Sequence, residues 1–133
     1  LCAFGSYCQT YVMNHDGTLL PGWPIGGRGD ENILIVDLDG DGFKELIMGY
    51  GGRPSALNIY RYDGTSFISG SRPLMYSSYS SYSAGDINNN GLIDLFAIDD
   101  IGNMYLWEFT GSASPQALQW PMARHDAQNT GKY

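Results

Sequence analysis

The chain has 133 residues with 18 glycines, 10 tyrosines and only 16% charged residues, a composition typical of turns and aromatic strands rather than of a helical protein. Its formal net charge of −7 argues against nucleic acid and against an anionic membrane surface as partners. It has no run of about eighteen apolar residues, so no membrane span is expected, and its length suffices to bury the core of one domain.

The chain begins with three predicted strands, at residues 1–5, 9–14 and 19–25. Cys2 and Cys8 lie six residues apart on what the pattern predicts to be one hairpin. A disulfide across that hairpin and two unpaired thiols are equally compatible with the sequence.

The next segment, residues 37–45, is called the first loop. It has acidic side chains at its first, third, fifth and ninth positions and glycine at its fourth and sixth. Calcium takes about six to eight oxygen ligands, and a loop of this pattern turns several carboxylates towards one ion while glycine at the sixth position allows a sharp turn. The predicted ligands are the side chains of Asp37, Asp39, Asp41 and Glu45 and the backbone carbonyl of Phe43.

Residues 86–94 repeat this pattern and are called the second loop. Its predicted ligands are the side chains of Asp86, Asn88, Asn90 and Asp94 and the backbone carbonyl of Leu92. Asp, Asn and Gly also form simple turns, but two copies in register favour metal loops. The first loop has four formal negative charges and the second has two, so we expect two structural calcium sites, of which the second is the weaker.

An EF-hand is excluded by the residues after each loop. That motif requires a bidentate Glu at position twelve, which is Met48 in the first copy and Ala97 in the second. Each loop instead runs into a short apolar segment bounded by turn residues, which predicts a strand.

A repeat with a period in the high forties organises the chain. Gly17, Gly64 and Gly111 each follow an aromatic strand and are separated by 47 residues, and each is predicted to lie in a turn. Prolines also recur near the end of each unit, at positions 24, 73 and 121. In the central unit the predicted strands are 33–36, 46–50, 57–62 and 67–74.

Four antiparallel strands with this period predict the blades of a β-propeller. The predicted all-β chain contains about two and two-thirds blades. They are a partial blade at 1–29, a blade with the first loop at 30–75, a blade with the second loop at 76–117, and a C-terminal tail at 118–133. Closed propellers need about four to eight blades, so the expected partners are the remaining blades or further copies of the chain.

Residues 37–46 and 86–95 resemble the FG-GAP and VCBS repeats of integrin-alpha-type β-propellers. Residues 17–25 resemble the outer strand of bacterial members, and residues 120–131 resemble the tail that often follows the last blade in secreted microbial members. The resemblance implies calcium at the ten ligand positions named above. It does not imply a reaction, because such propellers serve as adhesion surfaces, scaffolds and appendages of enzymes.

Two other features of the sequence bear on function. His15 and His125 each adjoin an aspartate, but neighbouring side chains on a strand face opposite ways, so no catalytic dyad is predicted. Residues 76–83 contain only tyrosine and serine, with a pair of serines between successive tyrosines, and binding surfaces often combine these two residue types. Packing is the favoured interpretation of that segment, and a glycan held by Tyr76 and Tyr79 is the alternative.

These observations predict a noncatalytic calcium-binding module of a secreted or cell-surface microbial protein that acts in adhesion, binding or assembly. A glycan or a surface protein is a further expected partner. One alternative is an accessory region of an extracellular polysaccharide-active or proteolytic enzyme, whose catalytic domain would lie outside these residues. Another is a structural subunit of an extracellular polymer. The first residues have no basic n-region, so a secretion leader is not expected within them.

Overall fold

The computed structural model describes residues 9–26, 29–50, 55–68, 74–75, 81–99 and 101–122. Within these residues there are ten strands and no helix, and hence no helix that could span a membrane. The strands are β1 (Gln9–Thr10), β2 (Ile25–Gly26), β3 (Gly29–Val36), β4 (Glu45–Tyr50), β5 (Ser55–Tyr60), β6 (Leu74–Met75), β7 (Ser81–Gly85), β8 (Leu92–Ile98), β9 (Met104–Ser112) and β10 (Leu118–Trp120).

The strands form three antiparallel sheets. The first sheet pairs β1 with β2, the middle sheet has the order β10-β3-β4-β5-β6, and the last sheet has the order β7-β8-β9. From β3 to β6 in the middle sheet and throughout the last sheet, strands that are consecutive in the chain are neighbours, as in the blades of a propeller. The prediction of an all-β fold with blade-like antiparallel sheets is therefore confirmed.

The core lies between the middle sheet and the last sheet. Ile47 of β4 and Leu95 of β8 are fully buried in one cluster. Leu46 and Met48, on the other face of β4, pack with Trp23 in a second cluster. Because successive side chains of a strand point to opposite faces, β4 is buried on both sides, and this explains why Leu46, Ile47 and Met48 are all apolar.

Two aspartate turns confirm part of the predicted repeat. Asp16 Oδ1 accepts hydrogen bonds from the backbone and the hydroxyl of Thr18, and Asp63 Oδ1 accepts the same pair from Thr65. The side-chain hydrogen bond and then the backbone hydrogen bond lower the pKa of both carboxyls. Gly17 and Gly64 follow with positive φ, which is the conformation that these turns require.

The third predicted turn, at Gly111, is wrong. Strand β9 continues through Gly111 to Ser112, and its pairing with β8 shifts register between Leu92 and Asp94. The backbone N–H of Gly111 donates to Leu38 of the first loop. A contact between neighbouring sheets therefore replaces the local turn.

The segment at residues 118–133 is predicted as a C-terminal tail, and Pro121 within it marks the end of the third repeat unit. Its strand β10 pairs instead with β3 of the middle sheet, with Leu118 opposite Val36. Ala117 is buried there, and its carbonyl accepts from the N–H of Asp37 at 3.0 Å. Burial of this segment against the middle sheet explains why β10 pairs with β3.

Several predictions fall outside the described residues. They concern Cys2, Cys8, Tyr76, Tyr79 and His125. Tyr82, at the end of the tyrosine and serine segment, is described and is 4% exposed, and its hydroxyl accepts from the N–H of Gly49 at 2.9 Å. Packing is therefore confirmed for this tyrosine.

Candidate metal centre

The first loop joins β3 to β4 and brings three carboxylates together. Asp37 follows β3, Glu45 begins β4, and Asp39 lies between them in the loop. One carboxylate oxygen from each of these residues lies within 4.8 Å of the others. Among the residues that the structure describes, this is the one group of three or more acidic, His or Cys side chains that converges in this way.

Backbone N–H groups hold the carboxylates of the first loop in place. Asp37 accepts from Gly40 at 2.8 Å through Oδ1 and from Gly42 at 3.1 Å through Oδ2. Asp39 Oδ1 accepts from the N–H of Asp41 at 3.2 Å. Gly40 and Gly42 both have positive φ, so the tight path of the loop depends on glycine at these positions.

Glu45 provides the strongest indication of a cation. Its side chain is completely buried, and Oε2 accepts from the backbone N–H of Leu38 at 2.8 Å. Oε1 has no hydrogen-bond partner among the described residues. Burial is the main cause that raises the pKa of this carboxyl to about 7; the hydrogen bond from Leu38 lowers the pKa, and the negative charges of Asp39 and Asp41 add to the rise.

A buried carboxylate oxygen without a hydrogen-bond partner destabilises the folded state. A divalent cation beside the oxygen would remove that destabilisation. The converging donors of the first loop are all carboxylate oxygens. Such donors suit calcium, magnesium or manganese rather than a soft metal. The residues present therefore fit the predicted ion.

Two basic side chains border the first loop. Arg61 Nη1 lies 3.2 Å from Asp39 Oδ2 and 3.7 Å from Asp41 Oδ2. Lys44 Nζ lies 3.7 Å from Asp37 Oδ2. These cations offset part of the repulsion among the four carboxylates, and they also reduce the field that would attract a metal ion.

The second loop, between β7 and β8, repeats the hydrogen bonds of the first. Asp86 Oδ2 accepts from Gly91 at 2.8 Å, as Asp37 accepts from Gly42. Asp94 Oδ2 accepts from the N–H of Ile87 at 2.9 Å, as Glu45 accepts from Leu38. The two loops are thus equivalent in structure, not only in sequence.

Asp94 also repeats the unusual property of Glu45. It is 1% exposed, and its Oδ1 has no hydrogen-bond partner within the described part of the chain. Its Oδ2 is bound to the loop backbone, so the carboxylate faces the loop. Each loop therefore ends in a buried carboxylate with one unpartnered oxygen.

The ten predicted ligands differ in what the structure shows for each of them. The side chains of Asp39, Asp41, Asn88 and Asn90 each accept a backbone N–H two residues further on. Of the ten, Asp37, Asp39 and Glu45 form the converging group. Phe43 and Leu92 supply backbone N–H groups to these bonds, and their carbonyls remain predicted ligands.

Sequence reasoning missed two residues next to the loops, Arg61 and Glu108. In the middle sheet Leu46 lies opposite Tyr60, and in the last sheet Leu95 lies opposite Trp107. Arg61 and Glu108 follow those partners and so occupy the same position in the two sheets. They are 47 residues apart, so aligning the chain on its repeat would have paired them.

Residues 37–97 match the family model of the FG-GAP-like repeat. The match begins at the first predicted ligand of the first loop and contains the whole of the second loop. A search of curated proteins and a search of solved structures found no significant match.

Proposed function

From the premise that residues 37–97 form an FG-GAP-like repeat, we propose that the chain is a noncatalytic, calcium-stabilised β-propeller module of a secreted or cell-surface microbial protein. Its role is adhesion, binding or assembly. The observation that carries the proposal is the buried Oε1 of Glu45, which has no partner among the described residues although Asp37 and Asp39 converge on the same carboxylate. A calcium ion satisfies all three groups.

The proposed role of calcium is structural, because the first loop lies at a joint between sheets. Leu38 of the loop accepts from Gly111 of β9 at 2.8 Å, and Asp37 donates to Ala117 beside β10 at 3.0 Å. An ion that orders the loop also orders both contacts. Binding to the folded state alone stabilises that state by mass action.

The proposed location outside the cell agrees with the metal and with the repeat. Extracellular calcium modules work at dissociation constants of about 10⁻⁴ to 10⁻³ M, which intracellular calcium does not reach. FG-GAP-like repeats are typically extracellular.

Strand β9 supports assembly with a further blade or a further copy of the chain. In the part of the chain that the structure describes, its only sheet partner is β8. Met104 is 72% exposed and Leu106 is 54% exposed on one face of the strand. An apolar edge strand of this kind favours strand addition by a partner.

Thermal unfolding in calcium, in magnesium and in chelator tests the proposal, together with calcium titration by calorimetry. We expect calcium to raise the midpoint, and we expect Glu45→Gln to remove binding at the first loop because an amide at that position replaces a charged ligand. Asp16→Asn is the control, since Asp16 is an exposed turn residue. A wild-type protein whose midpoint is the same in calcium and in chelator would refute the proposal.

The molar mass of the native particle, measured by light scattering in calcium and in chelator, tests the role in assembly. The monomer mass is 14.6 kDa. A defined multiple or a filament that dissociates in chelator is the expected result. A monomer under both conditions would contradict assembly from copies of this chain. Association with other blades would then be the remaining form of assembly.

A further inference from the structure

We propose that Glu108 makes the second loop a cation site by fixing the orientation of two ligand amides, Asn88 and Asn90. This inference rests on the proposed calcium-binding function and assigns a role to a residue outside both loops. Glu108 lies on β9, so it is distant in sequence from the residues that it would position.

The second loop has a problem that the first loop lacks. Asn88 and Asn90 occupy the positions of Asp39 and Asp41. A carboxylate presents an oxygen in either orientation, whereas an amide presents one oxygen and one NH₂ group. Only the oxygen binds a cation, so each amide must be held in one of its two orientations.

The hydrogen bonds of the second loop select that orientation. Asn88 Oδ1 accepts from the N–H of Asn90 at 3.0 Å, and Asn90 Oδ1 accepts from the N–H of Leu92 at 2.9 Å. The two Nδ2 groups point to Glu108, whose Oε2 accepts from Asn88 at 3.3 Å and also from Asn90. Rotating either amide would place donor against donor in the loop and oxygen against the Glu108 carboxylate.

A separate observation indicates that this loop takes a ligand. Oδ1 of Asp94 is buried in a residue that is 1% exposed and has no hydrogen-bond partner among the described residues. The Glu108 contacts do not satisfy it, because Glu108 brings another acceptor and no donor. A cation is the ligand that would interact favourably with the carboxylate oxygens and with the amide oxygens of this loop at the same time.

Arg61 shows that the charge at this position differs between the two sheets according to the loop beside it. It occupies the position of Glu108 in the middle sheet and pairs with Asp39 and Asp41. An acidic loop therefore faces a cation, and an amide loop faces an anion. With Arg61 and Lys44 counted, the four carboxylates of the first loop give a formal charge of −2, and with Glu108 counted, the two of the second loop give −3.

This balance changes the expected order of affinity. The prediction of a weaker second site depends on the larger negative charge of the first loop, and that excess is lost when the neighbouring Arg61, Lys44 and Glu108 are included. We therefore expect Glu108 to bring the second site close to the first in affinity. Residues that orient metal ligands typically contribute about 10- to 100-fold in affinity.

The test is calcium titration by calorimetry in a Glu45→Gln background, where binding reports the second loop. Adding Glu108→Ala is expected to weaken that binding by about 10- to 100-fold. Adding Asn88→Asp and Asn90→Asp as well is expected to restore it, because carboxylates need no orienting partner. Glu108→Gln, which keeps the size of the side chain, is expected to weaken binding in the same direction.

Ile101→Gln is the control, since Ile101 is 71% exposed in the turn before β9. Unfolding midpoints in chelator show whether each variant folds. Rescue by the two aspartates separates a positioning role from a structural one, because a structural loss at β9 would remain. Unchanged affinity in both Glu108 variants, or no rescue in a folded protein, would overturn the inference.

The outcomes also separate this inference from the proposed function. Calcium binding by the wild type and none by the Glu45→Gln protein would overturn the role of Glu108 while the calcium module stands. No calcium binding by the wild type would overturn both.

Discussion

The backbone N–H of Gly111 donates to the carbonyl of Leu38 at 2.8 Å. This bond joins the end of β9 to the first loop, so the loop of one sheet is held by a strand of the next. Gly111 is buried at this contact. The order of the metal loop and the packing of the sheets are thereby coupled.

Gly111→Ala is expected to break this contact. An added Cβ would overlap the carbonyl oxygen of Asp37 and lie 2.8 Å from that of Leu38. Overpacking of this kind costs about 1–3 kcal/mol, so the free energy of unfolding should fall by that amount and calcium binding at the first loop should weaken. Urea unfolding and calcium titration measure both effects.

Gly26→Ala is the control for that substitution. Its added Cβ meets nothing within 4 Å, so stability should change little. Equal stability of the two variants would show that Gly111 does not brace the loop.

Arg61→Gln is expected to raise calcium affinity at the first loop. Arg61 lies 3.2 Å from Asp39 and 3.7 Å from Asp41, so its charge competes with the ion. Arg61 is partly exposed, and exposed pairs contribute up to about 1 kcal/mol, which corresponds to a gain of at most about fivefold. Calorimetry at low salt measures it, and the gain should shrink as salt screens the charge.

Arg61→Lys keeps the positive charge and should leave the affinity close to that of the wild type. A weaker calcium site in Arg61→Gln would mean that Arg61 orders the loop more than it opposes the ion.

Tyr82→Phe is expected to lower the free energy of unfolding by about 1–3 kcal/mol, the cost of an unsatisfied buried donor. The Tyr82 hydroxyl accepts from the N–H of Gly49, and both residues are buried. Tyr11→Phe is the control, because Tyr11 is 51% exposed and its hydroxyl donates to the exposed Gln9. Equal unfolding midpoints in urea for the two variants would contradict the structural role of Tyr82.

The free energy of unfolding is expected to depend on pH through the carboxyl of Asp99. Burial alone would raise the pKa of its carboxyl, but hydrogen bonds from Asn103, Tyr105 and Ile101 outweigh burial and lower the pKa below the ordinary 3.8. A lowered pKa in the folded state stabilises the protein above pH 3.8, and this stabilisation is lost as the pH falls through the folded value.

Asp99→Asn should therefore unfold at a lower temperature than the wild type at neutral pH, with a difference that narrows below pH 3.8. The amide NH₂ group would also face the donors of Asn103 and Tyr105. Calorimetric scans across the acid range measure the difference. A gap that stays constant with pH would show that the charge of Asp99 contributes nothing.

The local patterns were predictable because their causes are local. Aspartate and glycine at fixed spacing produced the turns at Asp16 and Asp63 and the hydrogen bonds of the first and second loops, since the bonds involved span a few residues. Gly111 carries the same local signal as Gly17 and Gly64, yet it lies within β9. A contact with Leu38, distant in sequence, outweighs its preference for a turn.

The sequence alone therefore determined the all-β class, the period of the repeat and the residues of the two loops, because alternation and turn chemistry act between near neighbours. Only the tertiary structure decided which strand β10 joins, what Gly111 contacts, and which charge faces each loop. These depend on groups such as Glu108 and Asn88 that are brought together by strand register. Burial then selects the arrangement that leaves the fewest polar groups unsatisfied, and for Glu45 and Asp94 that arrangement leaves one carboxylate oxygen each without a partner among the described residues.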